Sequence, residues 1–225
     1  MTQAIQRQKV WDVPTRLFHW LLVGLFGFSW WSAETHHMDW HRYSGGTICG
    51  LIIFRIFWGV VGTDTARFSH FLKGPRAIWT YIRPGGKAVG IEALGHNPLG
   101  GWSVMALLVV TGVQVVSGLF AVDIDGIESG PLSYLVDFDH GRIAATVHRA
   151  SFSMLLVLVN LHVAAILFYL LVKRRNLIWT MISGFQPVSQ ADAVVTARLV
   201  SRWRWAGVVT VSALLAYGIA IGFRF

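Results

Sequence analysis

Five apolar stretches, each close to 20 residues, leave this chain few ways to fold. They cover residues 17–33, 43–62, 102–122, 148–172 and 205–223, the fourth with a polar lead-in from Gly141. A helix rises about 1.5 Å per residue, so about 20 residues cross the roughly 30 Å of hydrocarbon in a bilayer. In lipid a backbone must satisfy its own hydrogen bonds, which a helix does within one segment. Only 13% of the 225 residues are charged and 54% are apolar, against about 25% charge in a soluble domain. The expectation is therefore an all-α integral membrane protein of five spans. A secretory signal peptide shares the basic lead and apolar core of the first stretch. No clear small-x-small cleavage site follows it, however, and His19 with several Trp and Phe interrupts the core.

The net charge of +8 is not read as a nucleic-acid footprint, because the 11 Trp and 14 Phe fall in or beside apolar runs. The basic residues instead alternate by loop. Residues 1–16, 63–101 and 173–204 hold 14 Lys and Arg between them; residues 33–42 and 123–142 hold two, with seven acids. Basic loops stay on the cytoplasmic side, which puts the N-terminus inside and, after five spans, the C-terminus outside, in a bacterial inner membrane. Trp at span ends forms the expected aromatic belts. Within 63–83, aromatic and aliphatic residues interleave with Arg67, Lys73, Arg76 and Arg83, the pattern of an amphipathic segment lying on the inner surface. No internal repeat is found, and the single Cys49 excludes an internal disulfide.

Ionisable residues in membrane spans are costly and usually face the bundle interior. His148 and His162 share the fourth stretch, 14 residues apart. At about 100° and 1.5 Å per residue they fall on one stripe, about 21 Å apart along the axis. His41 matches the outer depth and His19 the inner. The pairs His41–His148 and His19–His162 can each offer two imidazoles to the iron of a flat cofactor held between helices. Ligands about 21 Å apart cannot share one zinc ion, which needs three or four converging donors. His36 and His37 compete with His41 as outer ligands but read as solvent-facing. His140 lies about 80° off the His148 stripe, and His70 and His96 belong to the inner loop. Arg55, inside an apolar stretch, follows His41 by 14 residues. It is open between a partner for an anionic cofactor group and a side chain snorkelling to the inner interface. Arg16, Arg42 and Arg149 flank candidate ligands and are weaker cation candidates.

Several segments form a recognisable set: VWDVPTRLFHW before and into the first stretch, Trp-His-Arg-x-x-Gly over 40–45, and RIFWGVVGTDTARFSHFLKGP over 55–75. GHNPLGG follows at 95–101, then His148-Arg149 with LHVAAILFY to Tyr169, then NLIWTMISG over 176–184. In this order, from residue 9 to about 187, the chain resembles the prokaryotic cytochrome b561 family, which includes the cytochrome b subunit of nickel–iron hydrogenases. The resemblance implies a four-helix bundle holding two b haems, each bis-histidine, with ligands at His19, His41, His148 and His162. The di-haem domain would span residues 1–187, and 188–225 would add a linker and a fifth transmembrane helix beyond the minimal core. Some hydrogenase subunits of the family keep fewer haems.

The function so implied is electron transfer between the quinone pool and a periplasmic partner, a c-type cytochrome or a dehydrogenase subunit. A second copy of the chain is a further candidate partner, and a quinone site is expected near the inner haem among the aromatics of 63–83. One alternative is superoxide oxidation at the outer face with quinone as acceptor. The acidic outer loops speak against it, since an anion is drawn by positive potential. A histidine-based proton or ion transporter, from another class, would show inverted repeats or broken helices.

Overall fold

The computed structural model describes residues 5–83, 97–125, 128–189 and 201–221. Helix α1 (Val13–Glu34) starts where Asp12 accepts the Thr15 backbone N–H at 2.7 Å, with proline in its first turn. A three-residue turn, with His36 at a positive φ of 58°, reverses the chain into α2 (Met38–Val61). Two short helices follow, α3 (Phe68–Phe71) and α4 (Pro75–Ile82). Asn97 then caps α5 (Pro98–Phe120), accepting the Gly100 N–H at 2.7 Å.

After α5 the chain folds back over the end of that helix. Gly130 N–H donates to the Ala121 carbonyl and Leu132 N–H to that of Leu119. Asp137 caps α6 (Phe138–Leu171), which is followed by α7 (Leu177–Ser183) and α8 (Arg202–Ala220). The helices begin earlier than the apolar stretches do: α2 by five residues, α6 by ten. Hydropathy marks where side chains turn apolar, whereas a helix begins at its cap.

Four helices are long and apolar enough to cross a membrane: α2, α5, α6 and α8 from Trp203. The fifth of the expected spans, α1, is not among these four. At 22 residues α1 has the length, but Trp20, Trp30, Trp31, His19 and its serines lower its hydropathy. It nevertheless runs antiparallel along α2, packed against it. The chain is a helical membrane protein.

The all-α expectation also misses a small antiparallel ladder between β1 (Ile5–Lys9) and β2 (Phe185–Ser189), with Lys9 opposite Phe185 and Arg7 opposite Pro187. Neither segment alternates apolar and polar residues clearly, and Pro187 is tolerated because both strands are edges. The ladder places the chain before α1 and the chain after α7 at one end of the bundle, here called the strand end. The opposite end is the far end.

Dry packing concentrates at the strand end. Phe18, Phe54, Trp58 and Ala66 form one buried cluster, and Val10 and Trp11 another against Met181. Asp12 ties them together. Beyond its cap bond, its carboxylate accepts Trp58 Nε1–H at 3.0 Å and the Thr63 hydroxyl at 2.7 Å. Gly184, at φ +85°, gives its carbonyl to the backbone N–H groups of Val10 and Trp11. A side chain there would meet both a left-handed backbone and the Trp11 carbonyl.

The fifth long helix is not loose. α8 packs on α2, where a Cβ on Gly50 would lie 3.0 Å from that of Ala216. Small residues let membrane helices approach this closely. Elsewhere large apolar side chains such as Val157, Leu161 and Leu214 are exposed, as a lipid-facing surface requires.

Candidate functional site

A cavity of about 1570 Å³ runs between α1, α2, α5, α6 and α8. A pocket for one drug-sized ligand measures about 300–1000 Å³, so this one has room for more than one such group. Its lining is mostly apolar, but His19, His41, His148 and His162 all face it. The helical stripe that carries His148 and His162 on α6 is therefore turned inward. Among the described residues no three metal-ligating side chains converge; the histidines come in twos, the number of axial positions on a haem iron.

At the far end the His41 and His148 rings lie 6.0 Å apart, centroid to centroid, at 88°. Each uses Nδ1 to meet a backbone carbonyl on a neighbouring helix. His41 Nδ1 is 2.9 Å from the Ser29 carbonyl and 3.1 Å from its hydroxyl. His148 Nδ1 is 2.7 Å from the Gln114 carbonyl. A ring that donates from Nδ1 keeps the lone pair on Nε2, and this outer bond is the usual way a ligating histidine is oriented. The Nε2 of His148 sits 3.0 Å from Gln114 Nε2, the amide whose oxygen accepts the Ser151 hydroxyl.

Gly118 completes the seat. A Cβ there would lie 2.7 Å from His148 Cε1, so only glycine admits the ring so close to α5.

Toward the strand end His19 and His162 face the same space. Their setting differs. His19 Nδ1 is buried without a hydrogen-bond partner, and its ring meets Trp20 edge-on at 4.9 Å. Ring contacts of Phe26 and Trp30 with Phe152 bridge α1 and α6 between the two levels.

The four candidate cations separate. Arg149 is exposed and Arg42 pairs with Asp39 at 2.7 Å, and both line the large cavity. Arg16 lines a smaller groove and donates to the Ile182 carbonyl. Arg55 keeps one guanidinium nitrogen, Nη1, buried without a hydrogen-bond partner. It is 3% exposed, away from the cavity lining, with its guanidinium 4.8 Å from the Phe68 ring centre and 5.8 Å from that of Phe71.

Phe68 and Phe71 thus serve Arg55, and none of the aromatics of 63–83 lines the large cavity. His70 lies 3.8 Å from Asp64, and His140 bonds Asp137. His36 and His37 are exposed in the α1–α2 turn, and His96 lies outside the described residues.

Sequence reasoning missed Ser29, Gln114 and Gly118, the residues that orient the far-end pair. Gln114 had a signal: a lone amide inside the apolar run Val113–Val116, where polar groups are expensive. Ser29 and Gly118 had none, because serine and glycine are ordinary in membrane helices.

The donor set fits haem. Paired imidazoles face a roomy apolar cavity, with Nδ1 atoms tied back at one level and a glycine cradle under one ring. A comparison with family models agrees: the model for prokaryotic cytochrome b561 matches residues 10–184. No curated protein and no solved structure matches the chain. The family match spans every histidine of the cavity and most of the chain, and the chain belongs to the prokaryotic cytochrome b561 family, membrane cytochromes b that bind haem b and take part in electron transfer.

Proposed function

We propose that this chain holds two b haems, His41 with His148 at one and His19 with His162 at the other. It would pass electrons between the quinone pool and a periplasmic redox protein, a c-type cytochrome or a dehydrogenase subunit. The observation that carries this reading is the sharing of one cavity by four histidines at two levels, the outer two with Nδ1 on backbone carbonyls. The 14-residue spacing of His148 and His162 sets the levels about 21 Å apart along α6.

Haem b supplies a one-electron redox change when bound. The chain does the rest. His41 and His148 are held in the tautomer that offers Nε2. Apolar lining excludes water and so strengthens each fixed dipole. Arg42 and Arg149, facing the cavity, are the cations placed to meet anionic propionates at the far end.

Charge supports an orientation. The basic loops gather at the strand end, which would be cytoplasmic, with α1 as a crossing helix and five spans in the bacterial inner membrane. The far end carries Asp123, Asp125, Glu128, Asp137 and Asp139. Such a surface suits a partner with a basic face and steers its approach.

A reduced-minus-oxidised visible spectrum with haem quantification tests the reading. Two b haems per chain are expected, one lost in His148→Ala and the other in His162→Ala. Full haem content in both variants would end it.

A further inference from the structure

Helix α8 lies beyond residue 184, where the family match ends, yet it forms part of the wall of the large cavity and carries a buried hydroxyl with nothing to bond. We infer that Ser212 of α8 binds the cofactor at the strand-end level, its Oγ–H donating a hydrogen bond to a haem carboxylate. The inference rests on the two-haem reading and deepens it by adding to the inner site a residue from outside the matched segment.

The other hydroxyls show how unusual this one is. Serine and threonine in a membrane helix commonly bond back to a carbonyl one turn earlier. The other helix hydroxyls that line the cavity are engaged. Thr47 donates to the Tyr43 carbonyl, Thr111 to that of Leu107 and Ser153 to that of Arg149, while Ser29 meets His41. Ser212 is 3% exposed and its Oγ has no partner. A buried hydroxyl left unpaired is costly, and the space that Ser212 borders is the cavity.

Packing fixes its depth. One turn before Ser212, Val208 packs on the cluster that contains Phe18, Phe54 and Trp58; one turn after it, Ala216 faces Gly50. Phe18 is the neighbour of His19 in the chain. Gly50 stands nine residues along α2 from His41, about 13.5 Å at 1.5 Å per residue. Ser212 therefore belongs to the level of His19 rather than that of His41.

Charge indicates what the hydroxyl would meet. The carboxylates and cations that line the cavity, Glu34, Asp39, Arg42, Glu128 and Arg149, all stand at the far end. Among the described residues no Lys or Arg lines the strand-end half. The acceptors on the rim of a b haem are its propionate carboxylates, and an anion among apolar walls needs donors. A carboxylate near the iron favours the ferric state; a hydroxyl bonded to it draws off part of that charge and favours the ferrous state. Hydrogen bonding around a haem is one of the protein's levers on its potential.

The test is a redox titration with resonance Raman spectroscopy on the purified full-length holoprotein, unmutated and as Ser212→Ala and Ser212→Thr. His148→Ala and His162→Ala identify which midpoint potential belongs to which haem. In Ser212→Ala both haems are expected to stay bound. The ratio of reduced to oxidised inner haem at a fixed potential should fall by at least about threefold, equivalent to about 28 mV at about 59 mV per tenfold for one electron. A propionate bending band should move with it, and the outer haem should not change. Ser212→Thr keeps the hydroxyl and should return both readings to those of the unmutated protein. Loss of the inner haem from the alanine variant, restored by threonine, carries the same meaning.

An unchanged inner potential in Ser212→Ala overturns the inference and leaves the two-haem reading standing. So does a shifted potential with unmoved propionate bands. Equal loss of haem from the alanine and threonine variants makes Ser212 a packing residue only, and also overturns it. No haem at the His19–His162 level of the unmutated protein overturns both the inference and the two-haem reading.

Discussion

His41 and His148 at the far end are oriented by polar contacts from neighbouring helices, whereas His19 toward the strand end stands among packed side chains with an unpartnered nitrogen. The first pair is prepared ring by ring: carbonyls take the Nδ1 protons and Gly118 clears the space. The surroundings of the second are prepared as a block. α1 is clamped to α2 and to the 62–71 segment by Asp12 and the Phe18–Phe54–Trp58 cluster. The difference teaches that one cavity can be built by two means. Local hydrogen bonding orients a ring directly; global packing fixes the helix that carries it.

The largest effect should come from breaking the outer seat. Gly118→Leu drives a side chain into the His148 ring, where even a Cβ would lie 2.7 Å from Cε1. Haem quantification should show one b haem lost per chain, the inner one retained. Loss of both would mean that the levels are not independent, and loss of neither that Gly118 does not seat the ring.

Asp12→Ala strikes the other means. It strips the α1 cap and leaves the buried Trp58 N–H and Thr63 hydroxyl without their acceptor. With hydrogen bonds to a charged group worth about 1.5–3 kcal/mol each, a stability loss of about 3–5 kcal/mol is expected. On heating, the inner haem should be released before the outer one. Haem spectra followed through a thermal ramp read both quantities.

A smaller effect sharpens the contrast. Gln114→Leu removes the amide beside His148 Nε2 but keeps the backbone carbonyl that holds Nδ1. Because that amide meets the nitrogen that would ligate iron and the orienting Nδ1 bond is kept, haem content should stay complete, with a changed midpoint potential for that haem alone in a redox titration.

The smallest effect lies outside the cavity. The Asp137 carboxyl accepts the His140 backbone N–H and a His140 ring bond, and the first of these chiefly holds it below the usual carboxylate range. A lowered folded-state value means that its contribution is complete above the unfolded value, about 3.9. It fades as pH falls through the lower folded value. Amide exchange in the first turn of α6 should therefore stay slow to pH 4 and rise only in stronger acid.

Much of the bundle was legible because lipid imposes a simple rule. A chain that cannot bond to solvent must form helices of membrane length, and hydropathy marks them. The in-phase histidines of α6 were legible for a similar reason, since a fixed 3.6-residue period converts spacing into direction. The first helix escaped that rule in part, because its tryptophans and His19 are amphipathic and lower its hydropathy while still packing well.

The orientation of Arg55 was not legible. Its position on the helix pointed toward the cofactor level, yet its guanidinium lies against Phe68 and Phe71, which follow α2 and reach it only through the turn after Gly62. Helical phase says where a side chain starts, not which neighbour meets it.

By itself the sequence determined the membrane helices, the alternation of basic and acidic loops, the four candidate ligands and the family, all of which depend on composition, local period or motif order. Only the tertiary structure decided the rest: Ser29 and Gln114 behind the far-end rings, Gly118 beneath one of them, α8 against α2, and the strand pair that joins residues 5–9 to 185–189. Those features are contacts between segments far apart in the chain. Their energies depend on which surfaces meet, and no local pattern carries that information.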